Sequence, residues 1–131
     1  MTLETMAPPA EWDASGQEDA IDTFRTLRED LTIKVWGGDW CKDCRATLPE
    51  FAGALAAAGI DPSSVEHHAV EKASDGSKRG PKVDAFDIER IPTIVIERAG
   101  VERARFVEEA SVPPAVHLAA QLTSAESEPV R

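Results

Sequence analysis

The sequence predicts an α/β domain, a central mixed sheet of about four strands with helices on both faces, in the order α-β-α-β-α-β-β-α. Three observations predict it. Apolar residues recur at helical spacing in some stretches and form short β-prone runs in others. The most β-prone run, Ile91-Pro92-Thr93-Ile94-Val95-Ile96, is followed by Ala99-Gly100 and a second such run, which reads as a hairpin. Finally, the run Leu31 to Trp36 ends in Gly37-Gly38, and the only two cysteines, Cys41 and Cys44, then open a helix-prone segment.

In chain order, residues 1–14 read as a tail, with Trp12 a candidate for docking on the domain. Ser15-Gly16-Gln17-Glu18 fits a capping box, and Ile21, Phe24 and Leu27 mark the apolar stripe of a helix from about Gly16 to Glu29. Leu31 to Trp36 is a strand. The helix after Cys41 carries Ala46, Leu48, Phe51, Leu55 and Ala58, contains Pro49, and stops at Gly59. Val65 to Val70 is a short strand, Glu71 to Gly80 a polar loop, and Pro81 suits the first turn of a short helix over Lys82–Phe86. Pro92 stands at the start of the next strand, where a sheet tolerates it. Glu102 to Val107 completes the hairpin, and Val116, Leu118, Ala119 and Leu122 carry a last helix behind Val112-Pro113-Pro114. The domain is expected over residues 15–123, and residues 124–131 as a second tail.

Composition removes several functions. With 131 residues the chain forms one domain able to bury a core. It has 24 acidic against 14 basic residues, a formal net charge of −10, which argues against nucleic acid as a partner. No apolar run approaches the ~20 residues of a membrane span, and Met1 to Ala10 lack the basic head and apolar stretch of a signal peptide. Two cysteines make no disulfide framework. A cytoplasmic protein, monomeric and without nucleic-acid or membrane partners, is the expectation.

The two cysteines carry the chemistry. At the start of a helix, unsatisfied backbone N–H groups and the positive end of the dipole converge on Cys41, so negative charge on its sulfur is favoured. Cys44 lies one turn on, at i+3 on the same face, and is able to attack a mixed disulfide formed by Cys41. A zinc site needs four ligands. Only His67, His68 and His117 are available to complete one, and adjacent strand residues point to opposite faces, so no metal and no cofactor is expected beyond a reversible Cys41–Cys44 disulfide. His67 and His68 read as structural groups.

Trp40-Cys41-x-x-Cys44 after a strand, Pro49 five residues past the second cysteine, and Ile91-Pro92-Thr93 before a hairpin together resemble the thioredoxin family over roughly residues 17–122. The resemblance implies a thioredoxin fold and a cis peptide bond before Pro92, facing the cysteines. It also implies that Trp40 shields the site while Ile91 and Pro92 orient an incoming peptide as an added strand. The chain departs from the family pattern in four places. Lys42-Asp43 replace the Gly-Pro typical between the cysteines, so Asp43 sets a negative charge beside the thiols while Lys42 and Arg45 oppose it. Val35 stands six residues before Cys41, where the family buries an aspartate. One of the two strand histidines is a substitute for that acid if its strand neighbours the active-site strand. Asp43 is a second candidate for handling the proton of Cys44. The loop Glu71–Gly80 is long, and Phe106-Val107-Glu108-Glu109 is acidic where a glycine is common.

The reading is a thiol–disulfide oxidoreductase that reduces protein disulfides through Cys41 and Cys44, supported by Trp40, Asp43, Ile91 and Pro92. Its electrons come from a reductase or a small thiol. Two alternatives stand beside it: a non-enzymatic adaptor or client-binding module whose cysteines form a redox-sensitive latch, and a glutathione-linked oxidoreductase.

Overall fold

The computed structural model describes residues 6, 16–38, 40–72, 78–80, 82–88, 90–107 and 114–127. Three helices, α1 (Glu18–Leu27), α2 (Lys42–Ala57) and α3 (Pro114–Ser127), accompany four principal strands, β1 (Leu31–Gly37), β2 (Val65–Ala69), β5 (Thr93–Arg98) and β6 (Val101–Val107). A small hairpin of β3 (Glu71–Lys72) and β4 (Lys78–Arg79) stands apart. The main sheet has the order β2-β1-β5-β6. β1 runs parallel to β2 and antiparallel to β5, which pairs antiparallel with β6. It is therefore the mixed four-strand sheet expected.

Strand alternation gives the sheet two unlike faces. Ile33 and Val35 of β1, Ile94 and Ile96 of β5, and Ala104 and Phe106 of β6 are all buried on the first. The helices cover this face: Phe106 meets His117 of α3 edge-on at 5.7 Å, and His67 of β2 faces Ala52, Leu55 and Ala56 of α2. α1 packs against both other helices, with Phe24 edge-on to Phe51 at 6.3 Å. Each large side chain buried in this way contributes on the order of 1.5–3 kcal/mol.

The second face carries Lys34, Trp36, Glu66, His68, Thr93 and Glu97. Here the structure corrects the sequence reading. Lys82–Asp87, expected to hold a short helix through Phe86, is a run of turns. Lys82 has φ 59° and Asp87 φ 54°, so neither end of the segment is right-handed helix. What holds it is packing: the Phe86 ring lies 5.0 Å from the Trp36 ring and 4.9 Å from Lys34 Nζ, and Arg105 donates a 2.8 Å hydrogen bond to the Phe86 carbonyl. A turn segment, not a helix, covers this face.

Other boundaries also move. α1 begins at Glu18, two residues later than expected, and its N-cap Gln17 makes no side-chain cap bond. The Glu18 carboxylate instead accepts from the Gly16 N–H at 3.1 Å, and Ser15 lies outside the described residues. The stretch Glu71–Gly80, read as a loop, contains the β3–β4 pairing. α3 continues to Ser127, past the expected end of the domain at residue 123. Of the expected N-terminal tail only Met6 is described, and it packs on the core; Trp12 lies outside the described residues.

Two features match the local chemistry of the sequence. α2 ends where Gly59 takes φ 76°, with Gly59 N–H donating to Ala56 O (3.1 Å) and Ile60 N–H to Leu55 O (3.0 Å), a Schellman closure. The β5–β6 hairpin turns through Ala99 and Gly100, both at positive φ, the primed turn that suits strand twist. No described helix is long and apolar enough to cross a membrane.

Candidate active site

The site lies where β1 hands over to α2. Gly38 is buried, and a Cβ there would fall 2.5 Å from Nε1 of Trp40. A residue without a side chain is what lets the indole fold back over the turn. Trp40 is 47% exposed, and its Nε1–H donates a 2.9 Å hydrogen bond to the carbonyl of Val70, just beyond β2. Val70 N–H in turn donates to Gly37 O at 2.8 Å, so the tryptophan is tied to the paired ends of β1 and β2.

Cys41 is the N-cap of α2, with extended backbone (φ −84°, ψ 121°), and its side chain does the work that Ser, Asp or Asn does at other helix starts. The Cys44 N–H donates to Cys41 Sγ at 3.3 Å. Cys41 Sγ–H lies 3.9 Å from the carbonyl oxygen of Ile91, fifty positions away in sequence and delivered by the approach to β5. The Ile91–Pro92 peptide bond is cis, and both residues are buried. Thr93, also buried, donates its hydroxyl to the Arg90 carbonyl at 2.6 Å and so closes the turn around Ile91 and Pro92.

The two sulfurs are unequal. Both thiols are free, with Cys41 8% exposed and Cys44 fully enclosed. Burial pushes the Cys44 thiol far up from its ordinary range; the hydrogen bond with Cys41 adds to this, a hydrogen bond with the Gly38 backbone pulls it back, and the charges of Cys41 and Asp43 raise it a little further. Asp43 itself is exposed in the first turn of α2, and among the described residues no hydrogen bond joins it to Cys44.

The structure therefore brings Cys41, Cys44 and Ile91 together, with Pro92 next to Ile91 and Trp40 at the rim; Asp43 stands beside them on the solvent side. Val35 is fully buried, paired with His67 on one side and Ile94 on the other. His67 borders an apolar recess of about 170 Å³ with Met6, Ala52, Leu55, Ala56, Ile60 and Val65. His68 turns to the opposite face and stacks on Trp36 at 4.7 Å. Glu66 Oε1 approaches its Nε2 to 3.3 Å but off the line of a hydrogen bond, so that nitrogen is buried without a hydrogen-bond partner among the described residues. Burial lowers the His68 value, outweighing Glu66. Among the described residues no group of three or more His, Cys, Asp or Glu side chains gathers around a metal position.

Sequence reasoning missed two contributors, the Val70 carbonyl and the Arg90 carbonyl, which act through backbone atoms that no motif marks. Gly37-Gly38 reads as a turn, but the room Gly38 leaves for the Trp40 indole does not show in the sequence, and Thr93 is visible inside Ile91-Pro92-Thr93 without its partner.

No protein-family model and no curated protein matches the chain. Solved structures do. A mutant thioredoxin from Halobacterium salinarum NRC-1 is 18% identical, with 100% of each chain covered and a TM-score of 0.46. Thioredoxin O2 from Arabidopsis thaliana, in its oxidized state, is 14% identical over 94% of this chain and 97% of that one, with a TM-score of 0.46. A thioredoxin from Trypanosoma brucei brucei is 17% identical over 98% and 100%, with a TM-score of 0.43. The likeness is one of overall fold, and the chain's own site is the Cys41–Cys44 pair at the start of α2.

Proposed function

We propose that this chain is a thiol–disulfide oxidoreductase that reduces disulfides in protein substrates. The observation that carries the reading is the asymmetry of the pair: Cys41 Sγ caps α2 and accepts the Cys44 N–H at 3.3 Å, while Cys44 lies one turn behind it, fully enclosed.

The chemistry follows from that placement. Cys41, as thiolate, attacks one sulfur of a substrate disulfide; a Cys41–substrate disulfide forms and the other substrate sulfur leaves as thiolate, to be protonated by water. Cys44 then gives up its proton and attacks Cys41 Sγ. The mixed disulfide breaks, the Cys41–Cys44 disulfide forms, and the substrate leaves with two electrons gained. A reductase or a small thiol returns those electrons. The two sulfurs suffice for this cycle without a further cofactor, and the cycle calls for no second copy of the chain, so the working form is taken to be a monomer. A reducing compartment such as the cytoplasm would hold the resting pair as the dithiol. Ile91 and Pro92 form the edge against which a substrate backbone lies, and Trp40 covers the approach.

Insulin reduction with dithiothreitol as electron source tests the reading. The chain should accelerate precipitation of the insulin B chain over dithiothreitol alone; Cys41→Ser should abolish the effect, and Cys44→Ser should accumulate a covalent adduct. No acceleration by the wild type would overturn the assignment and leave a binding module whose cysteines act as a latch. Regeneration by glutathione but not by a thioredoxin reductase would move the chain to the glutathione-linked class.

A further inference from the structure

We propose that Thr93 is a positioning residue for this site: its hydroxyl fixes the turn that presents the Ile91 carbonyl to Cys41 and the Ile91–Pro92 edge to substrate. The proposal rests on the oxidoreductase reading for its substrate, but its geometry stands independently.

Thr93 is the first residue of β5 and sits between two neighbours, paired with Trp36 of β1 and Val107 of β6. It is 2% exposed. From this clamped position in the middle of the sheet its Oγ1–H reaches back three residues to the Arg90 carbonyl at 2.6 Å, short even for a hydroxyl donor. Between the two ends of that bond lie only Ile91 and Pro92. Pro92 has no N–H to contribute to the ladder, and β5 begins only at Thr93. The segment that faces Cys41 is thus held on its β5 side by the sheet, and the Thr93 hydroxyl ties its Arg90 end back to that strand. Its outward consequence is the 3.9 Å approach of Ile91 O to Cys41 Sγ.

A valine at this position has nearly the shape of threonine and keeps the β-branched fit to the strand, but it lacks the hydroxyl. The Arg90 carbonyl then turns to water and the Arg90–Pro92 turn gains freedom. A docked protein substrate, which uses the backbone of this turn, loses pre-organisation. A small disulfide reagent that meets only the Cys41 sulfur does not.

The experiment compares wild type, Thr93→Val and Thr93→Ser, each verified as folded by circular dichroism. For insulin, Thr93→Val should lower kcat/KM by about two- to tenfold, the span set by the net contribution of one hydrogen bond, with the loss in KM more than in kcat. Reaction with a small aromatic disulfide should change less than that, and Thr93→Ser should restore the insulin value. Hydrogen exchange of the peptide spanning residues 88–96 should quicken in Thr93→Val and return in Thr93→Ser. An unchanged KM for insulin with an active wild type overturns the proposal, as does an equal loss on the small disulfide. If the wild type itself fails on insulin, the oxidoreductase reading falls, and exchange alone decides: unchanged protection overturns the positioning role, and faster exchange rescued by serine upholds it.

Discussion

Replacing Asp43 by asparagine separates two opposed roles for the one carboxylate beside the cysteines. Cys44 is fully enclosed, and burial, the largest cause that raises its thiol value, persists in a mixed disulfide together with the smaller push from Asp43, whereas the hydrogen bond and charge of a free Cys41 are lost once its sulfur is covalently bound. Its thiolate is therefore scarce near neutral pH, and resolution of a Cys41 mixed disulfide should quicken about tenfold per pH unit between about pH 7 and 9. Asp43 is exposed, so its charge acts through water and is worth only ~0.2–1 kcal/mol. Asp43→Asn removes a repelling charge, and resolution should run about 1.4- to 5-fold faster at every pH below the thiol's own value, with the pH slope unchanged. The assay is stopped-flow release of the chromophoric thiol after one equivalent of an aromatic disulfide: the first release reports Cys41, the second Cys44. A slower second release in Asp43→Asn, with the deficit fading as pH rises, would make Asp43 the base that takes the Cys44 proton and refute the electrostatic reasoning. A rate that levels off well below pH 8 would refute the claim that burial governs Cys44.

Limiting iodoacetamide should label Cys41 before Cys44, because only Cys41 is reached by solvent at all; peptide mapping after partial labelling reads the order. The His68 value is lowered in the folded state, so the unfolded chain binds the proton more readily, and the stability His68 contributes is complete above about pH 6.5 and declines as pH falls below it. His68→Phe, which keeps the stack on Trp36, should flatten urea midpoints across that window; an unchanged slope would assign the pH dependence elsewhere. Gly38→Ala should displace the Trp40 indole, break its bond to Val70 and cost about 0.5–1.5 kcal/mol, seen as a red shift of the Trp emission together with a lowered urea midpoint. Gln121 accepts from Arg105 N–H and donates to Arg105 O, both at 2.8 Å, and so fills the outer edge of β6; Gln121→Leu should expose that edge and produce concentration-dependent association in light scattering.

Much of this arrangement was legible because local chemistry and tertiary need coincide. The run Leu31 to Trp36, the two glycines and the cysteine at the helix N-cap each state the same junction, and the structure has it. Gly59 and Ala99-Gly100 announce their turns by the backbone they require. Lys82–Phe86 shows the limit. Its composition tolerates a helix, but the Phe86 ring gains more by lying on Trp36 and Lys34 than one turn of isolated helix supplies. The contacts that finish the site are long-range: Ile91 O to Cys41 and Val70 O to Trp40 join positions 50 and 30 apart, through backbone atoms that carry no residue-specific signal.

The division of the sheet into unlike faces bears on how the site handles protons. Lys34, Glu97, Glu66 and His68 are gathered on the face under Phe86, where Lys34 Nζ meets Glu97 at 3.3 Å. The other face, against α2 and α3, is built from Ile33, Val35, Ile94, Ile96, Ala104 and Phe106, and Cys44 is carried on α2, the helix that borders this face at Val65 and His67. Valine at position 35 keeps that face apolar, at a place where an aspartate would have put a carboxylate between Ile94 and His67. His67, the one polar side chain in register with Val35, borders the recess beside Met6 and α2, and His68, next to it in sequence, is turned to the far face by strand alternation. A proton leaving Cys44 is thus not met by the cluster of titratable groups beneath Phe86. It must go outward, toward the Cys41 side, where solvent and Asp43 are. On the proposed oxidoreductase reading, access of water to Cys44 from the Cys41 side then becomes a determinant of how fast a mixed disulfide resolves.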